Sequence, residues 1–256
     1  MTSPPYWNIK DYGYEDQIGY GQSYQDYLRD LMAVWRACDA ALEPGCKFVI
    51  NVGDQFLRSN DETAYQVVSI HSDIIRQFRE MGGYTFLGNI IWHKVTNTKS
   101  SGGGSWMGST YYPRDGYVTY EHEYILIFRK DGKARRPTGD ALEKSRLTMA
   151  ERSLWFRGTW DIPPERQYEH IAPFPVELPE RIIRMFTFWG EMVLEPFCGS
   201  GSTLHAAFNS GRNCIGYDLN PEYVRLALRR VPGCSCEEDL PPSPDAEEYL
   251  PFYGWK

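Results

Sequence analysis

Val193-Leu194-Glu195-Pro196-Phe197-Cys198-Gly199-Ser200-Gly201-Ser202-Thr203 reads as a strand, a glycine-rich turn and the first residues of a helix. Gly199 and Gly201 permit a tight turn and close approach of a ligand to the backbone, beside a helix N-terminus with free N–H groups. The next apolar run, Cys214-Ile215-Gly216-Tyr217-Asp218, ends in an acid. From that position a carboxylate can hold ribose hydroxyls. The stretch lacks the third glycine of a dinucleotide fingerprint and the Lys-Ser/Thr of a P-loop, so a nucleoside without phosphates is the better ligand.

Working outward, short apolar runs alternate with amphipathic stretches, the pattern of an α/β fold. Ser23 can cap a helix whose apolar positions are Tyr24, Tyr27, Leu28, Leu31, Trp35 and Cys38. Glu43-Pro44-Gly45 ends it, and Lys47 to Val52 reads as a buried strand. A second helix is predicted over roughly Ala64 to Met81, stopped by Gly82-Gly83, with a strand from Tyr84 to His93. Lys94 to Tyr120 is rich in Gly, Ser, Thr and Tyr, and a loop of that length in a compact domain is normally functional or disordered. Tyr124 to Phe128 resumes the sheet. Helix Glu177–Phe188, strand Met192–Glu195, helix Ser202–Asn209, strand Asn213–Tyr217 and helix Pro221–Arg230 complete it. The expected organisation is a first α/β part (1–94), an inserted region (95–168, with a core strand near 122–129), a second α/β part (169–231) and an irregular acidic tail (232–256).

Composition narrows the class. The chain has 256 residues, 42% hydrophobic and 24% charged, with a net charge of -7. That is ordinary globular composition, and the acidic total argues against a protein that coats DNA generically. Charge is uneven, however: Arg129 to Arg157 holds nine basic residues and four acidic ones, while Glu237 to Glu248 holds six acids and no base. A local basic surface is compatible with an acidic whole. No apolar run approaches a membrane span, and the first residues carry no secretory pattern, so a cytoplasmic location is expected. The six cysteines are scattered without zinc-ligand spacing, which predicts reduced thiols and no metal site.

Near the N-terminus, Thr2-Ser3-Pro4-Pro5-Tyr6-Trp7 places two proton acceptors, the Ser3 hydroxyl and the Pro4 carbonyl, beside the flat face of Tyr6. Pro4-Pro5 stiffens the backbone that positions them. An amino group on an aromatic base is a poor nucleophile, because its lone pair is delocalised into the ring. Acceptors for both its protons let the nitrogen pyramidalise toward an electrophile, while Tyr6, supported by Trp7, offers a surface for an extruded base.

These motifs, in this order, resemble the DNA amino-methyltransferases of the beta arrangement, in which the catalytic motif precedes the target-recognition region and the cofactor motif comes last. The resemblance frames nearly the whole chain. It implies a Rossmann-like α/β fold with a mostly parallel sheet, S-adenosyl-L-methionine as methyl donor and double-stranded DNA as substrate. Ser3, Pro4, Pro5 and Tyr6 would form the catalytic motif. Glu195, Pro196, Phe197, Gly199, Ser200, Gly201, Ser202, Thr203 and Asp218 would serve the cofactor. His170-Ile171-Ala172-Pro173-Phe174-Pro175 resembles the family segment before the cofactor loop, which implies that Phe174 or its neighbours touch the methionine part. Ser at the first motif position is typical of cytosine-N4 enzymes and Asp of adenine-N6 enzymes, so Ser3 favours cytosine, with adenine-N6 as the alternative. Trp106, Tyr112, Arg114, Arg135 and Arg136 in the inserted region are residue types that stack on bases or bridge to phosphates. A homodimer and a cognate restriction endonuclease are the expected partners of such an enzyme.

Family members carry two strands before the catalytic motif, whereas this chain starts one residue before Thr2. A gap at the centre of the sheet is therefore expected, with low stability or activity, and a non-catalytic DNA-binding remnant is a second alternative. Methyltransferases of protein amides also use a Pro-Pro-Tyr motif, but they place the cofactor loop first.

Overall fold

A computed structural model describes residues 1–14, 16–57, 64–94, 114, 117–118, 120–164, 174–236 and 253–254. Helix α1 (Tyr24–Ala41) begins where the Ser23 hydroxyl accepts the Asp26 N–H, and it buries Tyr27, Leu28, Leu31, Val34, Trp35 and Cys38 on one face. Strand β1 (Lys47–Val52) follows. Then the sequence expectation of one helix over 64–81 fails in its first part. Gln66–Val68 is instead strand β3, paired antiparallel with β2 (Gln55–Leu57), and helix α2 runs only from Ile70 to Met81. Val67 and Val68 fit a helical period, but their branched side chains favour a pleated surface once a partner strand is beside them.

Strand β4 (Tyr84–His93) returns beside β5 (His122–Lys130), and β5 lies antiparallel between β4 and β1. Helices α3 (Asp140–Lys144) and α4 (Met149–Trp155) lead to the short strand β6 (Thr159–Asp161), which joins the free edge of β4 in parallel. Trp155, Trp160 and Ile162 are buried with Ile90, Trp92 and Ile182 in one apolar cluster. Two of the indoles are satisfied locally, Trp92 donating to the Ile162 carbonyl at 2.8 Å and Trp160 to the Trp155 carbonyl at 2.9 Å. The stretch with little periodicity in the sequence thus contributes core as well as surface.

Helix α5 (Glu177–Phe186), strand β7 (Met192–Glu195), helix α6 (Ser202–Asn209), strand β8 (Asn213–Asp218) and helix α7 (Pro221–Arg230) build the cofactor half, with β7 and β8 parallel. A two-residue strand, β9 (Tyr253–Gly254), pairs with the end of β8. The architecture is the Rossmann-like α/β fold expected, with a mixed sheet because β5 returns antiparallel into the interior of the first half.

Between the halves lies the N-terminal segment. The Thr2 N–H donates to the Val49 carbonyl at 2.9 Å and its carbonyl accepts the Asn51 N–H at 2.8 Å, a parallel bridge to Ile50. The Met1 nitrogen donates to the Leu194 carbonyl at 3.1 Å. Met1 and Thr2 thus reach from β1 toward β7, while the two strands stay in separate sheets. This pairing also delivers Ser3 to the carboxyl end of β1, the end at which sites form in open α/β sheets.

Candidate active site

Ser3, Tyr6, Asn51 and Glu123 meet at that carboxyl end. The Ser3 and Tyr6 hydroxyls are 3.1 Å apart, and the Tyr6 hydroxyl donates to Glu123 Oε2 at 2.9 Å. Asn51 Nδ2 donates to Glu123 Oε2 at 2.7 Å and to the Tyr6 oxygen at 3.0 Å, with the Ser3 oxygen at 3.5 Å. Lys94 Nζ pairs with the other carboxylate oxygen of Glu123. Burial and the neighbouring Glu123 carboxylate push the Tyr6 phenol well above its ordinary range, so it stays protonated. Gly53 gives the ring its room: a Cβ there would lie 3.2 Å from Tyr6 Cε2 and 3.4 Å from Glu123 Cγ. On the far side of the motif the Tyr27 hydroxyl holds the Pro5 carbonyl at 2.8 Å.

Trp7 is engaged in packing. Its backbone has φ 49, its indole donates to the Gln22 carbonyl at 3.0 Å, and its ring sits 4.9 Å from that of Tyr24. The chain beyond it crosses to the cofactor half, where Tyr12 meets Tyr223 edge-on and the Tyr14 hydroxyl donates to Asn220 Oδ1 at 3.2 Å. Burial, with Tyr223 and Asp218 nearby, pushes the Tyr12 phenol up to about 12.

The glycine-rich turn divides its residues between shape and surface. Glu195 is fully buried; one oxygen accepts the Phe197 N–H at 3.2 Å and the other the Thr203 hydroxyl at 2.8 Å. It therefore braces the turn. Ser200 is tied to Arg230 at 2.8 Å, and Gly201, with φ 82, lies where a Cβ would be 2.7 Å from Ala227 Cβ. Asp218 is different. Its oxygens accept the Gly199 N–H at 2.8 Å and the Asn220 N–H at 2.9 Å, and burial raises its carboxyl above the usual range. A half-buried acid at a strand end, touching a left-handed glycine turn at the start of α6 and flanked by Tyr12 and Tyr14, fits a nucleoside with ribose hydroxyls. Phe174 is half-buried against the cluster of Trp160 and Leu178, and residues 170–173 lie outside the described residues.

The residues expected to meet DNA are dispersed. Trp106 and Tyr112 lie outside the described residues, and Arg114 is exposed with φ 84. Arg135 and Arg136 are exposed, Arg135 with Glu43 at 3.8 Å, while a Cβ on Gly45 would strike Ala134. Those contacts put both arginines at the start of β1, the end opposite Ser3 and Tyr6. Sequence reasoning missed Asn51, Gly53, Lys94 and Glu123. The available signal was polarity at strand ends: Asn51 and Gly53-Asp54 close an otherwise apolar strand, and Glu123 precedes the run Tyr124–Phe128. Among the described residues no group of three or more His, Cys, Asp or Glu could hold a metal ion, and no helix is long and apolar enough to cross a membrane.

The chain is similar to known methyltransferases. The chain is 37% identical over 217 residues to the Type II methyltransferase M.MjaI of Methanocaldococcus jannaschii, covering 82% of this chain and 69% of that protein. It is 33% identical over 256 residues to the Type II methyltransferase M.MthZI of Methanothermobacter thermautotrophicus, covering 90% and 70%. A crystal structure of a Thermus thermophilus protein assigned as a DNA modification methylase, complexed with S-adenosyl-L-methionine, superposes with a TM-score of 0.73 at 39% identity, over 91% of this chain and 86% of that one. Residues 1–229 match the DNA methylase model of the N6/N4 amino-methyltransferases, and the chain belongs to that family of S-adenosyl-L-methionine-dependent DNA methyltransferases.

Proposed function

We propose that this enzyme methylates the N4 amino group of cytosine in duplex DNA, the target base being extruded and stacked on Tyr6. The observation that carries the reading is the pairing of Ser3 with Tyr6, hydroxyl to hydroxyl at 3.1 Å, at the carboxyl end of β1. One side chain is an acceptor for an amino proton and the other is a face for the ring that bears it. Ser rather than Asp at position 3 supports cytosine over adenine. The Pro4 carbonyl is the second acceptor, leaving the nitrogen lone pair directed at the donor. S-adenosyl-L-methionine supplies the methyl group as an electrophilic carbon on a sulfonium. Asp218 holds the ribose hydroxyls and the Gly199–Gly201 turn approaches the nucleoside. A paired restriction endonuclease and a homodimer belong to the same reading.

The test is incubation with S-adenosyl-L-methionine and unmethylated DNA of mixed sequence, then digestion and mass spectrometry of the nucleosides. N4-methylcytosine is the expected product. N6-methyladenine would overturn the assignment of the base while leaving the amino-group chemistry in place.

A further inference from the structure

The family reading leaves one question about Ser3 open: a hydroxyl can donate as well as accept, and only the acceptor orientation helps an amino group attack. The neighbours of Ser3 decide between them. A carboxylate has no proton to give, so in the contact between Tyr6 and Glu123 the phenol is the donor. Asn51 Nδ2 can only donate, and its two hydrogens are directed at Glu123 Oε2 and the Tyr6 oxygen. Exchanging the Asn51 amide atoms would set its oxygen against the carboxylate, which fixes its orientation. With the Tyr6 proton committed to Glu123, the hydroxyl contact at 3.1 Å leaves Ser3 as donor to the Tyr6 oxygen. Ser3 then presents lone pairs alone to the base.

Glu123 is built for this role. It is 6% exposed, and Lys94 binds the oxygen that Tyr6 and Asn51 leave unused. Three donors thus converge on one buried carboxylate, two of them on its Oε2. We propose that Glu123 is the positioning residue that polarises Ser3 through Tyr6 and receives the proton released by methyl transfer. This rests on the amino-methylation reading but not on the choice of base.

The relay balances. The amino nitrogen lone pair forms the N–C bond as the C–S bond breaks, its electrons staying on sulfur. One amino proton passes to Ser3 Oγ, the Ser3 proton to Tyr6 Oη, and the Tyr6 proton to Glu123 Oε2. The carboxylate ends as a neutral acid and returns its proton to solvent between turnovers.

The experiment is single-turnover methyl transfer to unmethylated DNA across pH 5 to 9 by the full chain, counting methyl groups in cytosine and adenine together. Variants Glu123→Gln, Glu123→Asp, Tyr6→Phe and the double variant Tyr6→Phe/Glu123→Gln are compared, with S-adenosyl-L-methionine binding by calorimetry and melting temperature alongside. Glu123→Gln and Tyr6→Phe should each slow the chemical step by about 10²-fold, the scale of proton-transfer catalysis, without loss of cofactor binding. The double variant should be no slower than the slower single variant, since both break one relay. Glu123→Asp should recover part of the rate. A Glu123→Gln enzyme with the parental rate would overturn the proposal. So would a double variant whose loss is the product of the two single losses. Tyr6→Phe keeps the ring and the packing, so if Glu123→Gln does not fold, a parental rate in Tyr6→Phe overturns the relay by itself. A product in adenine would sink the choice of base and leave these comparisons valid.

Discussion

Asp218 accepts the backbone N–H of Gly199 at 2.8 Å, which fastens the end of β8 to the glycine-rich turn after β7. The carboxylate proposed to receive a ribose is therefore also what holds the turn against its neighbouring strand. Its second oxygen takes the Asn220 N–H at 2.9 Å at the start of α7. Both partners are donors, so the site wants an acceptor at each oxygen.

Asp218→Asn should for that reason behave nearly as badly as Asp218→Ala, because the amide nitrogen of Asn must face one of two N–H groups. Hydrogen bonds to a charged group contribute about 1.5–3 kcal/mol, so each substitution should weaken S-adenosyl-L-methionine binding on the order of ten- to a hundred-fold. Titration calorimetry checks it. An Asn variant with parental affinity would show that the carboxylate charge and both its acceptors are dispensable there.

Glu195 gives a pH dependence whose sign can be worked out. Burial raises its pKa from the ordinary 4.5 to about 7 in the folded chain. Below the unfolded value both states carry the proton and there is no penalty. Between about 4.5 and 7 the unfolded chain releases its proton while the folded one keeps it, so stability is lost across that window as pH rises. Gln fills the same space, accepts from Phe197 and can donate to Thr203. Glu195→Gln should therefore melt higher than the parent at pH 8, and the advantage should shrink toward pH 5. Melting curves at the two pH values decide it, and an equal difference at both would remove burial of the charge as the cause.

Gly201 combines φ 82 with a Cβ position 2.7 Å from Ala227 Cβ. Gly201→Ala meets both a left-handed backbone and an occupied space, a cost on the order of 2–4 kcal/mol. Adding Ala227→Gly removes the closest contact and leaves the residue-227 Cα at 3.1 Å together with the backbone strain. The double variant should thus melt between the parent and Gly201→Ala, although Gly inside α7 carries a helix cost of about 1 kcal/mol. A double variant as unstable as the single one would mean that the collision is not what makes glycine necessary.

The elements that bury an apolar face were legible from period alone. Lys47–Val52, Tyr84–His93, Met192–Glu195, Ser202–Asn209 and Pro221–Arg230 have the predicted bounds, because local pattern and packing agree there. The helix over 64–81 was misjudged at Gln66–Val68, where a partner strand eleven residues upstream, Gln55–Leu57, outweighs helical spacing. The two ends of the proposed site stand out in the sequence as motifs, Ser3 to Tyr6 and Glu195 to Thr203. Their support does not: Glu123 lies 117 positions from Tyr6, and only the return of β5 beside β1 brings it there. A single acid at the start of an apolar run carries no mark of a partner so distant.

Arg135 and Arg136 carry the last prediction, because basic composition and position in the fold point in opposite directions for them. Composition makes them phosphate contacts. The fold sets them beside Glu43 to Gly45, just before β1, while on the proposed reading the base enters near Asn51, four residues past the first strand residue, Lys47, in a strand that rises roughly 3.3 Å per residue. That separation of at least about 13 Å lies along the sheet and away from Ser3. Replacing both by Ala should leave DNA affinity and its salt dependence nearly unchanged, whereas loss of two phosphate contacts would flatten the slope of log K against log salt by about 1.8. Binding measured between 50 and 200 mM salt distinguishes the two. A flattened slope would mean that the duplex wraps to the far end of the sheet, and the path of DNA would have to be redrawn around that end of β1.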